Sequence, residues 1–175
     1  MDIAKLKRIF DFLEEKEGHR APLLWKVKNE IQLTEKDLNV KGDLFFNHTN
    51  ITSLPEGLKV SGNLDLAYSE IKSLPEGLKV GGYLNLLYSK ITSLPRGLKV
   101  GGNLNLYLTD ITSLPNDLTV DGAVFLYKSG VTSLPEDLKV GGNLHIDNTP
   151  LEKYTNKELR GMIKSGFIKG KIYRR

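Results

Sequence analysis

The chain has 175 residues, no cysteine, a formal net charge of +4, and 39% hydrophobic and 8% aromatic residues. This composition suits a soluble domain with one continuous core, and the missing cysteine excludes disulfides, thiol catalysis and thiolate metal sites while fitting a reducing compartment. No stretch approaches the roughly 18 consecutive apolar residues of a membrane span, and the acids within MDIAKLKRIFDFLEEKEG argue against a secretory signal.

The charge is unevenly placed. Residues 1–50 carry nine basic and nine acidic side chains, residues 51–150 eight and ten, and the last 25 residues eight and two. Basic character therefore belongs to the C-terminal segment, and the body of the chain is near neutral.

Asp2 is a plausible N-cap for an amphipathic helix over 3–16, with Ile3, Leu6, Ile9, Phe10 and Leu13 on one face and Gly18 placed to stop it. Such a helix suits a cap over the open end of a repeat core; a docking helix for a partner is the other reading. The stretch Ala21–Leu33 is ambiguous. Leu23, Trp25 and Val27 alternate as in a strand, yet a short helix also fits.

From Ile31 the chain repeats with a period of twenty residues, without insertions, through residue 150. Ile51–Glu70 reads ITSLPEGLKVSGNLDLAYSE and Ile91–Asp110 reads ITSLPRGLKVGGNLNLYLTD; Ile31–Asn50 is a degenerate first copy. A fixed period of this length marks a solenoid or an array. Leu58, Val60, Leu64, Leu66, Ile71 and Leu74 each head a column of apolar residues repeated in the other copies. Stacked coils need such columns, because no single coil buries enough to fold alone. Each copy holds two short extended segments, Leu58–Val60 and Asn63–Ala67 in one of them. Glycine stands at the corner between them in all six (Gly42, Gly62, Gly82, Gly102, Gly122, Gly142). A hydroxyl follows the second segment at Thr49, Ser69, Ser89, Thr109, Ser129 and Thr149, placed to bond backbone at a corner. Pro55, Pro75, Pro95, Pro115 and Pro135 rule out regular helix in the returning arm.

In the last 25 residues, Thr155–Glu158 is a capping-box sequence that predicts a helix of about ten residues ended by Gly166, with Leu159, Met162 and Ile163 inward. FIKGKIY at 167–173 echoes LKVGGNL, so Gly170 takes the phase of the repeat glycine and Ile172 that of the first strand leucine. A final strand is expected there, adding to the sheet and closing its edge. The whole is thus a β-rich solenoid of one parallel sheet, with an N-terminal cap over 1–30, six repeats over 31–151 and a helix-plus-strand cap over 152–175.

The pattern L-x-L-x-x-[ST]-x-I-x-x-L-P over residues 31–151 resembles the leucine-rich repeat. It is most similar to short LPX-type repeats of bacterial effectors and to small bacterial and phage repeat proteins whose coils read LPEGLKVGGNL. The resemblance implies a stacked-coil architecture and a cytoplasmic protein of a bacterial cell or a phage-infected host. Serine or threonine replaces the ladder asparagine, and glycine replaces the first leucine, so a horseshoe and a straighter β-helix-like solenoid both stay open. The cysteine-dependent ubiquitin-ligase activity of some effectors is not carried over.

No catalytic constellation is apparent. His19, His48 and His145 are far apart in the repeat order, and GLKVGGNL does not match a phosphate-binding loop. No metal, cofactor or enzymatic activity is expected. If Leu64 and Leu66 point inward, the intervening positions point outward and vary. They gather Phe45, Asp65, Asn85, Asn105, Phe125 and His145 in one column, Asn47, Ala67, Leu87, Tyr107, Tyr127 and Asp147 in the next, Tyr83 before, and Tyr68, Tyr88 and Leu108 at the strand ends. Clustered exposed aromatics on a rigid sheet suit a partner protein; aromatic ladders that only stabilise neighbouring strands are the other reading. Lys164, Lys169, Lys171, Arg174 and Arg175 offer phosphate contacts as a second functional class, although the net-acidic repeat body argues against nucleic acid. A carbohydrate face using the Tyr and Asn columns is a third.

Overall fold

A computed structural model describes Arg8 and residues 23–174. By contacts the chain divides into two units, Met1–Leu38 and Asn39–Arg175. Apart from Arg8, the helix expected over 3–16 lies outside the described residues.

In the first unit the ambiguous segment resolves as a helix, α1, Leu23–Lys28. Trp25 on it is half-buried. A single turn, α2, Glu35–Leu38, follows Thr34. The Thr34 N–H donates to Asp37 Oδ2 at 2.9 Å and the Asp37 N–H donates back to Thr34 Oγ1 at 3.3 Å, a reciprocal cap. Asp37 Oδ1 also takes a bond from Lys26 Nζ at 2.9 Å, and both residues are buried. Burial alone would raise the Asp37 pKa. The bonds from Lys26 and Thr34, with the Lys26 charge, outweigh it and hold the carboxyl below its ordinary value. A carboxylate depressed in the fold stabilises above its unfolded pKa, and the contribution fades as pH falls through the folded one. Lys26→Ala should therefore cost roughly 3 kcal/mol at neutral pH, leaving a buried charge unpaired. The deficit should shrink below the ordinary carboxylate value of 3.8. Denaturation followed by the fluorescence of Trp25, the only tryptophan, measures both; a deficit unchanged at low pH contradicts the assignment.

The second unit is a parallel β-solenoid with a twenty-residue period. Its fourteen two-residue strands, β1–β14 in chain order, form two seven-stranded sheets. The first sheet holds Asn39–Val40 (β1), Lys59–Val60 (β3), Lys79–Val80 (β5), Lys99–Val100 (β7), Thr119–Val120 (β9), Lys139–Val140 (β11) and Phe167–Ile168 (β13). The second holds Leu44–Phe45 (β2), Leu64–Asp65 (β4), Leu84–Asn85 (β6), Leu104–Asn105 (β8), Val124–Phe125 (β10), Leu144–His145 (β12) and Ile172–Tyr173 (β14). Sequence reading expected one sheet; both extended segments of each coil in fact pair. Carbonyls at the end of the first segment accept from the next coil, as Val60 O from Gly81 N–H at 2.8 Å and Val80 O from Gly101 N–H at 2.9 Å.

Stacking is in register, with Leu64 opposite Leu84 and Leu84 opposite Leu104. All three are 0% exposed, and the Leu58, Val60, Leu66 and Ile71 columns are buried with them. The corner glycines form a backbone ladder, Gly102 N–H donating to Gly82 O at 2.9 Å. A Cβ on Gly102 would lie 2.8 Å from the Gly82 carbonyl carbon, so close approach is what demands glycine there.

The corner hydroxyls tie the far end of each second strand. Ser69, Ser89, Thr109 and Thr149 donate to the carbonyl three residues back at 2.6–2.8 Å. Ser129 Oγ is buried without a partner. Ser89→Ala should lose about 1 kcal/mol with that hydrogen bond, whereas Ser129→Ala should be neutral or stabilising. Thermal unfolding of the two variants side by side tests this; equal losses would contradict it.

At the C-terminus a 3-10 turn, Pro150–Lys153, leads to α3, Asn156–Met162, with the capping box of Thr155 and Glu158 in place. Those bonds hold the exposed Glu158 carboxyl below its ordinary value. The helix ends at Met162, earlier than expected. The N–H groups of Lys164, Ser165 and Gly166 are instead drawn to Glu136 O at 2.9, 3.2 and 3.1 Å. Leu159 is buried, while Met162 and Ile163 are half-buried. The expected final strand is two, β13 and β14, one added to each sheet. Gly170 N–H donates to Gly142 O at 2.9 Å and Ile172 sits opposite Leu144, in the anticipated phase. Arg160 covers the outer edge, donating to Ile168 O and Gly170 O at 2.6 Å each, and Asn156 Nδ2 donates to Ile172 O at 3.5 Å.

Candidate functional site

The outer face of the second sheet collects the variable side chains. Its middle column runs Phe45, Asp65, Asn85, Asn105, Phe125, His145 and Tyr173. Phe45 is 62% exposed, and Asp65, Asn85, Asn105, Phe125 and His145 are half-buried. Phe125, His145 and Tyr173 stack with ring centroids 4.6 and 4.9 Å apart. Tyr173 was not among the anticipated site residues, although the phase of Ile172 already placed it beside His145.

The polar members of this column are structurally engaged. Asp65, Asn85 and Asn105 each accept through Oδ1 from the N–H two residues on, at 2.9, 3.2 and 3.0 Å. These local bonds set the turn that ends each strand. Asn105 Nδ2 also donates to Asn85 Oδ1 and to the Tyr83 hydroxyl, both at 3.1 Å. Burial raises the Tyr83 pKa, the nearby Asp65 charge adds to this, and the Asn105 bond opposes it without reversing it. Tyr83 therefore stays a neutral donor.

Before this column stands another ladder of side-chain acceptors, one carboxylate followed by amides. Asp43, Asn63, Asn103 and Asn143 accept from the N–H that begins the next coil's second strand, at 2.7–2.9 Å. In the column after it, Ala67 is buried while Leu87, Tyr107 and Tyr127 are half-buried. Tyr107 and Tyr127 stack at 4.1 Å, with Lys128 Nζ 5.3 Å from the Tyr127 ring centre.

At the strand ends His48, Tyr68, Tyr88, Leu108, Lys128 and Asn148 all hold φ near +55°. They occupy the third position of a turn whose fourth residue bonds back to the first, as Ser89 N–H to Leu86 O at 3.1 Å. That position favours glycine or asparagine, and other side chains there store roughly 1–3 kcal/mol of strain. Tyr68, Tyr88 and Leu108 are nevertheless 46%, 53% and 36% exposed. His48 and Tyr68 stack at 4.7 Å, and the Tyr68 and Tyr88 rings meet at a tilt of 33° with centroids 5.4 Å apart. Sequence reasoning placed Tyr68, Tyr88 and Leu108 together at the strand ends but took only the two tyrosines as site residues; the position that His48 and Leu108 share with them was the available signal.

The basic C-terminal residues are dispersed. Lys164 pairs with Glu136, and Arg174 donates to Glu152 O, Tyr154 O and Asn156 Oδ1. Lys169 lies over the Phe167 ring at 5.3 Å, and Lys171 sits at the start of β14 with its N–H on Asn143. Arg175 lies outside the described residues. Among the described residues no three histidine, aspartate or glutamate side chains gather as a metal site, and no helix is long and apolar enough to cross a membrane. Comparison with protein-family models, curated proteins and solved structures finds no match to this chain.

If strain outweighs packing at these strand ends, Leu108→Asn should raise stability by about 1 kcal/mol. Tyr88→Asn should be nearly neutral, relief being offset by the lost contact with Tyr68. Chemical denaturation measures both; destabilisation by Leu108→Asn would show that the leucine serves the fold.

Proposed function

We propose that this protein is a non-enzymatic interaction module that binds a partner protein through the outer face of its second sheet. The observation that carries the reading is the strained, exposed row of Tyr68, Tyr88 and Leu108. Folding alone favours asparagine or glycine at that turn position, and Asn148 has it at the last copy. Large apolar groups held there against their backbone preference, and left open to solvent, fit contact with another surface. Tyr107, Tyr127, Phe125 and Phe45 continue the apolar area beside them, on a scaffold whose order is already supplied by the fold. A preordered face gives up little entropy on binding.

The resemblance of coils such as LPEGLKVSGNL and LPRGLKVGGNL to leucine-rich repeats of bacteria and phages supports a narrower form: an inhibitor of a host factor, acting in the cytoplasm. The dispersed C-terminal cations, with Lys164 paired to Glu136 of the last repeat and Arg174 occupied within the cap, favour a protein over a nucleic-acid partner.

The test is capture by the tagged protein from the native host, quantified by mass spectrometry, against a Tyr88→Asn/Leu108→Asn variant. The variant should unfold at the same or a higher temperature and lose the captured partner. Full capture by the folded variant would overturn the proposal.

A further inference from the structure

The inference rests on the outer face of the second sheet being the binding surface, and it concerns what the partner places there. The ring stack that runs from Tyr173 through His145 stops at Phe125, because the next coil carries Asn105 opposite it. One face of the Phe125 ring therefore has no ring beyond it. Tyr83 stands two coils away, roughly 9.6 Å along the stacking direction at the usual strand spacing. Between them lies a cleft of about 400 Å³ bounded by Tyr83, Asn103, Asn105, Tyr107 and Phe125. Asn105 stands between them in the stack, but its side chain is shorter than the Phe125 ring, and the cleft volume leaves room for one further planar ring against Phe125 at a contact separation of roughly 3.5–4 Å.

All five lining side chains are uncharged, which disfavours a carboxylate or an ammonium there. Two lining groups keep donors in reserve. The Tyr83 hydroxyl accepts from Asn105, and its own proton remains to donate. Asn103 Oδ1 accepts the Ala123 N–H at 2.8 Å, which fixes the amide orientation and leaves its Nδ2 hydrogens to donate. Asn105 is spent on Tyr83, Asn85 and the Tyr107 N–H.

We infer that this cleft is the anchor site for one neutral aromatic side chain of the partner, with tyrosine favoured over phenylalanine. The ring lies on the open face of Phe125 and the incoming hydroxyl accepts from Tyr83 or Asn103. Phenylalanine fills the same space without using the donors, and leucine offers neither the flat face nor the acceptor.

The full chain, labelled with nitrogen-15, is titrated with N-acetyl-tyrosinamide, N-acetyl-phenylalaninamide, N-acetyl-leucinamide and a methyl glycoside. Shifts should centre on Asn103, Asn105 and Phe125, and affinity should fall in the order tyrosine, phenylalanine, leucine. Phe125→Ala should weaken the tyrosine probe roughly two- to tenfold, the equivalent of one lost stacking contact. Tyr83→Phe keeps the ring but removes one of the two donors, so the preference for tyrosine over phenylalanine should narrow. Equal response to leucinamide, tighter binding of the glycoside, shifts centred elsewhere, or no shift up to the solubility limit would each overturn the inference. The probes need no partner, so the two readings fail separately. Silence here beside lost capture by the Tyr88→Asn/Leu108→Asn variant removes the anchor alone, and retained capture by that variant removes the binding face.

Discussion

The separation between coils governs the rest of this structure. Parallel strands lie about 4.8 Å apart, and that distance leaves no room for a side chain wherever backbone of one coil meets backbone of the next. At the corner between the two strands this leaves only glycine. Gly82, Gly102, Gly122 and Gly142 bond one to another at 2.8–3.0 Å, and an added Cβ on each would meet an atom of the preceding coil at 2.3–2.8 Å. Inside the coil the same spacing brings identical apolar groups into contact, so leucine meets leucine and valine meets valine. The interior is therefore uniform along the repeat while the exterior is free to vary.

The spacing also shapes what the exterior can present. Flat rings suit a repeat of this size, and the face carries three separate runs of them: His48–Tyr68–Tyr88, Tyr107–Tyr127 and Phe125–His145–Tyr173. Each run ends where a residue that cannot stack takes its place in the column, at Leu108, Asp147 and Asn105 respectively. Polar side chains that look free in the sequence are largely consumed by the backbone. Asp65, Asn85 and Asn105 hold the turn after each strand, and Asn63 and Asn103 hold the start of the next coil's strand. What the face offers a partner is thus aromatic surface on a polar frame that is mostly satisfied internally.

Much of this was legible in the residues. The Leu58 and Val60 columns, the corner glycine and the Thr155–Glu158 capping box each follow from a spacing that physical chemistry reads one way. The phase of Gly170 and Ile172 located the last strands across an eight-residue break in the period, because glycine ladder and leucine column must both continue. Other features left no such mark. Tyr68, Tyr88, Leu108 and Lys128 give no hint of left-handed backbone, since only Asn148 in that column is a residue such a turn selects. The pairing of the first segments into a sheet of their own was hidden because those strands are two residues long, too short for an alternation to declare itself. The early end of α3 depends on the Glu136 carbonyl, a partner distant in sequence. Ala67 was expected outside and is buried, its small size marking a covered position that polarity alone did not reveal.

In-register stacking can be measured directly, because the chain has no cysteine to interfere with site-specific labelling. Nitroxide pairs introduced at Lys79 with Lys139 and at Lys59 with Lys139 sit on exposed, equivalent positions of the first sheet, three and four coils apart. Pulsed electron spin resonance should give two narrow distributions whose means differ by one coil, about 4.8 Å. Broad distributions, or means that do not grow with coil number, would contradict the stacked solenoid and every reading of its outer face.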